Sequence, residues 1–398
     1  MTFNGVKPQV RRLDSLTAIR FFAVIYVVLF HYSAGVIPFG PQLSSGYLGV
    51  DLFFVLSGFI LMYNYGDKAT TQSAFYRLFL SARIARIYPA FILAFVLATP
   101  AVVSFTLSRS PPLEAWAKTA VAGPLTLALV HAWFPRIVFF WNFPSWSVSV
   151  EMFFYLCFPL LATRLKALSE RMSLLLALAC ALLAPGLVAF AITRANLPFS
   201  NMPWNLEAIP IVRLSQFVMG MAIGRVFLLR QYRANLSRVW AILACALTVC
   251  VVAFLPGLPF FARVLIPGPI FAMLIYVLAR GERLQAKEKR FPLGGLVLLG
   301  DASYSIYILQ WPLFYLCGFS LVTMTGPKLL FYLCLLLAAS IASLLLVEKP
   351  LRRKILSVLA VARLPHTVKI QSLRFGRFRP DGRHVDQEQP ILNTPVNR

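Results

Sequence analysis

A chain of 398 residues that is 59% apolar and 13% charged, with positive mean hydropathy, carries too few charges and too many long apolar runs to be a water-soluble globule. Its formal net charge of +24 comes from Lys and Arg in short stretches between apolar runs and in the tails. That pattern fits membrane orientation and anionic-lipid contact and excludes a basic soluble face for nucleic acid.

Crossing the hydrocarbon core takes about 20 mostly apolar residues. Ten stretches qualify: 15–35, 46–65, 83–106, 147–163, 173–193, 208–229, 237–255, 261–280, 294–318 and 328–347. The first contains Arg20 and His31 and lacks a small-residue cleavage site, so it reads as a retained span and not as a signal peptide. The six cysteines, Cys157, Cys180, Cys245, Cys250, Cys317 and Cys334, all fall inside apolar segments and outline neither a disulfide framework nor a metal site. The expected fold is an all-α membrane protein, a bundle of about ten transmembrane helices.

Basic clusters at 7–12, 77–86, 164–171, 225–238, 280–290 and beyond 349 mark the cytoplasmic side, so each neighbouring pair must enclose an even number of crossings. A spanning helix at 120–134, a stretch that holds Gly123, Pro124 and His131, would put every later cluster outside. The segment 107–146 is therefore expected to be external or re-entrant, with both termini cytoplasmic. Residues 1–350 form the expected membrane domain. From 351 to 398 the chain loses apolar periodicity and is rich in Arg, Pro and Gln, which predicts a basic, mostly disordered cytoplasmic tail tethered to anionic lipid. No internal repeat is evident, which disfavours transporters built from duplicated halves.

Ionisable groups inside spans cost about 2.5 to 3.5 kcal/mol each on insertion scales, so the few present are candidate functional groups. Arg20 and His31 are eleven residues apart, close to three helical turns, which returns both to one face about 16 Å apart along the axis. Alone, the pair reads equally well as a snorkelling cation and a packing histidine. On the next span Asp51 falls near the depth of His31, where a carboxylate would fix an imidazole tautomer. Ser57 and Gly58 on the same span allow close approach of a helix or a thin ligand. Arg83 and Arg86, at i and i+3, share a face suited to bidentate phosphate binding, although ordinary positive-inside flanking explains them too. Glu151, about one turn inside the span that begins at Trp146-Ser147, lies near the same depth as His31 and Asp51.

Taken together these elements resemble the acyltransferase-3 family of bacterial membrane O-acyltransferases. The resemblance rests on Arg20 with His31, the run from Gly49 to Phe59, Arg83 with Arg86, Trp146-Ser147 with Glu151, Gly300-Asp301-Ala302-Ser303-Tyr304-Ser305-Ile306-Tyr307, and Glu348-Lys349-Pro350, in family order. Family members often carry His before the Trp-Pro that follows, whereas this chain has Gln310, so position 310 receives no acid-base role. The extra extracytoplasmic hydrolase-like domain of many relatives is not expected here, because the basic tail is too short to encode it.

The resemblance implies an O-acyltransferase of the bacterial cytoplasmic (inner) membrane that moves an acyl group, acetyl in the simplest case, from cytoplasmic acyl-CoA to a hydroxyl of a surface polysaccharide or lipid-linked sugar. Acyl-CoA is then a donor substrate and no cofactor is permanently bound. Arg20, Arg83 and Arg86 are expected to hold its phosphates, and His31, supported by Asp51 or Glu151, to act as general base. Arg213, Ser303 and Tyr304 are candidates for the acceptor or the oxyanion. Membrane lipids and polysaccharide-synthesis machinery are the expected partners, with no nucleic acid. A transporter or flippase of lipid-linked saccharides is the competing class.

Overall fold

The computed structural model describes residues 12–33, 36, 40–194, 208–230, 238–258, 260–284 and 294–361. Among the described residues there is no strand, and the chain is a bundle of helices. In chain order the main ones are α1 (Asp14–Tyr32), α2 (Leu48–Tyr65), α3 (Ser73–Arg109), α4 (Pro112–Leu127), α5 (Trp146–Leu165) and α6 (Glu170–Arg194). Then come α7 (Pro210–Leu229), α8 (Arg238–Phe254), α9 (Pro267–Leu284), α10 (Gly294–Leu316), α11 (Gly326–Ala342) and α12 (Lys349–Val361).

Eight stretches of the described residues are long and apolar enough to cross a bilayer: Asp14–Tyr32, Leu48–Lys68, Ser73–Arg109, Phe143–Leu165, Pro210–Leu229, Val239–Gly257, Ala262–Glu282 and Gly326–Val358. The other two expected spans fall on α6 and α10, helices of 25 and 23 residues. The polar residues of α10, from Asp301 to Gln310, dilute its apolar character. Lipid-facing apolar side chains are plain on α8, where Ile242 is 67% and Val249 68% exposed. In a hydrocarbon solvent such a face carries no penalty.

The segment 107–146 forms no span. Helix α4, at 16 residues, is too short, and it is followed by single 3₁₀ turns at His131–Trp133 and Phe143–Ser145. The segment folds back onto the bundle: the Trp141 indole stacks on Phe95 at 4.3 Å and donates to the Phe95 carbonyl, while Asn142 Nδ2 donates to the Ile308 carbonyl at 3.0 Å.

Small residues set the closest helix contacts. A Cβ on Gly58 would lie 2.0 Å from the Phe217 carbonyl oxygen, and one on Gly220 only 1.9 Å from that of Val55. Helices α2 and α7 therefore touch backbone to backbone, as glycine-lined membrane interfaces do. The first turn of α1 is held differently. Both carboxylate oxygens of Glu282, on α9, accept from its free amides, Asp14 N at 2.6 Å and Ser15 N at 2.9 Å, and the Ser15 hydroxyl donates as well. A carboxylate at a helix N-terminus satisfies orphan donors and meets the positive end of the dipole.

Between α11 and α12 the helix widens into a π-helical turn at Ser343–Glu348, a feature that recurs at functional sites. Helix then continues to Val361, beyond the boundary expected at 350; residues 362–398 of the expected tail lie outside the described residues. One compact unit spans Met1–Leu356, and a second, Ser357–Arg398, is described only over 357–361, where it is helical.

Candidate active site

A cavity of about 570 Å³ is enclosed by α1, α2, α3, α5, α10 and the π-helical turn with the start of α12. On α2 its lining runs from Asn64 to Val50, fourteen residue steps or roughly 21 Å of helix. The Asn64 end is strongly polar. Six cations, Arg12, Arg20, Arg83, Arg86, Lys349 and Arg352, line the cavity with three carboxylates, Glu151, Asp301 and Glu348, a surplus of three positive charges. The other end is lined by Val50, Phe53, Phe54, Val148, Ser147 and Tyr307.

Three of the cations are held in different ways. Arg83 is 5% exposed: its Nη2 donates to the Tyr65 hydroxyl at 2.8 Å, and its guanidinium lies 5.2, 5.6 and 5.9 Å from the rings of Tyr65, Phe79 and Tyr155. This aromatic cage offsets part of the cost of burying a charge. Arg20 lies 6.0 Å from the Phe53 ring. Arg12 bridges to Asp301 at 2.8 Å, linking the start of α1 to α10 at the polar end. The expected grouping of Arg20, Arg83 and Arg86 is therefore present in space, with Arg86 following Arg83 on one face of α3.

The carboxylates are hydrogen-bonded. Glu151 Oε1 accepts from the hydroxyls of Ser57, at 3.2 Å, and Tyr155. Glu348 accepts from Ser305, which also approaches Ser343 at 3.2 Å. Ser303 and Tyr304 line the cavity as well: Tyr304 donates to the Ile87 carbonyl at 3.1 Å, tying α10 to α3, while the fully buried Ser303 hydroxyl has no hydrogen-bond partner among the described residues.

His31, Asp51 and Arg213 do not line this cavity. The expectation that Asp51 or Glu151 supports His31 is not met. Asp51 faces α7, where it pairs with Arg213 at 3.0 Å, and that guanidinium packs 5.6 Å from the Trp146 ring. A shared depth in the membrane puts no two side chains together unless their helices also turn the same faces to each other. Arg213 is thus the counter-ion of Asp51 and stands away from the cavity where the acceptor or oxyanion role was expected.

The partner of His31 is Gln310, whose Oε1 lies 2.9 Å from Nδ1. Gln310 Nε2 donates to the Tyr307 carbonyl at 2.8 Å, so the amide cannot turn round without facing two oxygens together. Its oxygen must point at His31, Nδ1 must carry the proton, and Nε2 is left with a lone pair. The ring of Phe143 packs edge-on at 5.5 Å. Position 310, given no role from the sequence, fixes the tautomer.

Sequence reasoning also missed Arg12, Asp301, Glu348, Lys349 and Arg352 as cavity residues. Asp301, Glu348 and Lys349 stand in motifs already recognised, so the signal was present without an assignment. Arg352 was hidden by the change of composition that placed it in a tail. A second buried histidine, His131, is 1% exposed and contacts Ser145 through Nε2 at 3.1 Å. Burial pushes its pKa down to about 4, so the ring is neutral and serves packing.

Comparison with known proteins follows the same line. A family model described as an acyltransferase domain matches residues 13–348. The chain is similar to the acyltransferase MdmB of Streptomyces mycarofaciens, 28% identical over 321 residues that cover 76% of this chain and 79% of that protein. It is also similar to the O-acetyltransferase OatA of Staphylococcus aureus, 32% identical over 38% of this chain and 25% of that protein. Protein 2 in the picA locus of Rhizobium radiobacter is 37% identical over 30% of this chain and 61% of that protein. No solved structure matches the chain.

Proposed function

This multi-pass membrane acyltransferase belongs to the acyltransferase-3 family, and from that premise we propose that it carries an acyl group, acetyl in the simplest case, from cytoplasmic acyl-CoA to a hydroxyl of a surface polysaccharide or lipid-linked sugar. The observation that carries the donor assignment is the cavity's surplus of three cations together with its apolar lining by Val50, Phe53 and Phe54. Guanidinium groups recognise phosphate bidentately. A polyanionic nucleotide carrier with a slender neutral arm has this same polarity. In this reading the phosphates of CoA lie among Arg20, Arg83, Arg86 and their neighbours Arg12 and Arg352, and the arm extends along α2 towards Val50.

In this reading the membrane is the bacterial inner membrane, and the excess of basic residues around the polar end supports its facing the cytoplasm. The acceptor approaches from the side of His31, whose bare Nε2 takes the hydroxyl proton and returns it to the departing thiolate. Glu151, hydrogen-bonded by Ser57 and Tyr155, shares the cavity lining with the arginines and stands apart from the imidazole. Donor and acceptor are substrates in this scheme and no resident cofactor is required. Surrounding lipids and polysaccharide-synthesis machinery are the natural partners.

The experiment is transfer from radiolabelled acetyl-CoA by the full chain in lipid nanodiscs mixed with host membranes, alongside mass spectrometry of surface glycans from cells with and without the gene. His31→Ala should abolish transfer and leave CoA binding intact. Arg83→Gln with Arg86→Gln should raise the donor KM at least tenfold and the acceptor KM little. Full activity in the histidine variant would remove that residue from the chemistry, and an unchanged donor KM would move the donor elsewhere.

A further inference from the structure

One hydroxyl in the cavity lining is uncommitted. Along Ser303–Tyr307 of α10, Tyr304 donates to the Ile87 carbonyl, Ser305 donates to Glu348, and the Tyr307 hydroxyl is bonded to Ser147. Ser303 lines the same cavity and is fully buried, and its Oγ has no partner among the described residues. A buried hydroxyl without a partner is costly, so its hydrogen is available to an acceptor that enters from outside. Helix packing sets where that acceptor must lie. A Cβ at Gly300 would fall 1.9 Å from the Thr17 carbonyl oxygen, and Gln310 meets His31 further along, so α10 and α1 run in the same direction. Three residues beyond that contact on each helix stand Ser303 and Arg20, each higher by roughly 4.5 Å, so hydroxyl and guanidinium line the cavity at one level. Arg20 is close enough to Arg86 for the two to repel each other, a repulsion that Asp301 and Glu151 oppose. Those two carboxylates already accept from Arg12 and from Ser57 with Tyr155.

We infer that Ser303 is a donor-binding residue whose hydroxyl, beside Arg20, donates to the phosphate that carries the pantetheine arm of acyl-CoA. This rests on the acyl-CoA reading above, and it gives Ser303 a donor role in place of the acceptor or oxyanion role considered for it. Two guanidinium groups and a hydroxyl with a hydrogen to give match the oxygens of a phosphate. A neutral amide of the arm would leave the repulsion between the two cations in place. Depth selects which phosphate. Between Arg12 and Arg20 α1 rises by eight residue steps, roughly 12 Å, so Arg20 and Ser303 stand inward of Arg12 in the same lining. In CoA the diphosphate adjoins the arm and the ribose phosphate lies beyond it. With the arm pointing towards Val50, the diphosphate takes the inner position and the ribose phosphate the outer.

The test uses the full chain in nanodiscs with donors of decreasing charge: acetyl-CoA, dephospho-acetyl-CoA, which lacks only the ribose phosphate, and acetyl-pantetheine, which lacks every phosphate and the nucleoside. Host membranes supply the acceptor, and thermal unfolding of the donor-free protein is followed in parallel. Ser303→Ala should raise the KM for acetyl-CoA about tenfold or more, the range for one hydrogen bond to a charged group, with kcat little changed. The same rise should persist with dephospho-acetyl-CoA and vanish with acetyl-pantetheine, whose KM the variant and the parent should share. Because the donor-free hydroxyl has no bond to lose, the unfolding midpoint of the variant should not fall. An unchanged KM for acetyl-CoA, an equal loss with acetyl-pantetheine, or a rise confined to the donor that keeps its ribose phosphate overturns the inference. A lowered midpoint overturns it too, because the hydroxyl would then be bonded within the protein. A parent protein that uses acetyl-pantetheine as readily as acetyl-CoA would instead sink the reading of the cationic cavity as the donor's phosphate site, on which the inference stands.

Discussion

Breaking the ion pair between Arg213 and Asp51 separates a structural role from a catalytic one. The charged atoms are 3.0 Å apart and the side chains are 12% and 10% exposed. At an effective dielectric constant near 20 that separation corresponds to about 5.5 kcal/mol of attraction before desolvation is subtracted. Removing one partner strands the other charge, which costs about 3 to 5 kcal/mol, whereas replacing both with neutral groups of similar size is close to neutral. Arg213→Met alone should therefore lower the thermal unfolding midpoint in detergent markedly and reduce activity only through the folded fraction. Arg213→Met combined with Asp51→Asn should recover most of the midpoint, and activity with it. The assay is a double-variant cycle on purified protein, with unfolding followed by the fluorescence of an exposed-thiol dye and acetyl transfer measured on the same samples. If the double variant is as stable as the parent yet transfers nothing, the pair belongs to the chemistry and this reasoning is refuted.

Three further outcomes are expected. Gln310→Leu removes the acceptor that fixes His31 Nδ1, so kcat should fall about 10- to 100-fold, the order of effect of one general acid-base contribution, while Gln310→His, which can also accept a proton from Nδ1, should retain most of it; equal losses would show that the tautomer is not set there. Gly220→Val places a Cβ that would lie 1.9 Å from the Val55 carbonyl, so α2 and α7 must separate and the yield of folded protein should collapse, whereas Gly186→Ala, with open space around it, should change little; size-exclusion profiles compare the two. His131 has an ordinary pKa of 6.5 in the unfolded chain and about 4 when folded. The unfolded chain therefore takes up a proton first, and stability falls as pH drops from 6.5 towards 4, by about 3 kcal/mol at 1.36 kcal/mol per unit; His131→Gln should flatten that part of the stability profile, and an unaltered profile would assign the acid sensitivity to other groups.

Much of this molecule was legible because hydrocarbon is an unforgiving solvent: apolar run length located the long helices, and a guanidinium inside such a run had to have a reason. Arg20, Arg83 and Arg86 converge on one cavity, as the family resemblance implied. The local spacing that set Arg83 beside Arg86 holds within one helix and carries no information about which neighbour that helix faces. That is why Asp51 was matched with His31 when it turns to Arg213, and why the partnership of His31 with Gln310, 279 positions away, left no trace in any motif. Arg352 escaped for a different reason. Composition changes abruptly near 350, whereas the helix, widened at Ser343–Glu348, carries the chain past that point with its basic face on the cavity.

The carboxylate of Glu282 grips two amides and a hydroxyl at the beginning of α1, and it lies outside the cavity lining. The opening helix cannot drift outward unless the last turn of α9 moves with it. A neutral residue at 282 would leave the reacting groups untouched and let the Arg12 end swing, so nucleotide grip would slacken while turnover at saturating donor persisted. On the proposed donor reading, the carrier's site is anchored from a helix outside the cavity lining.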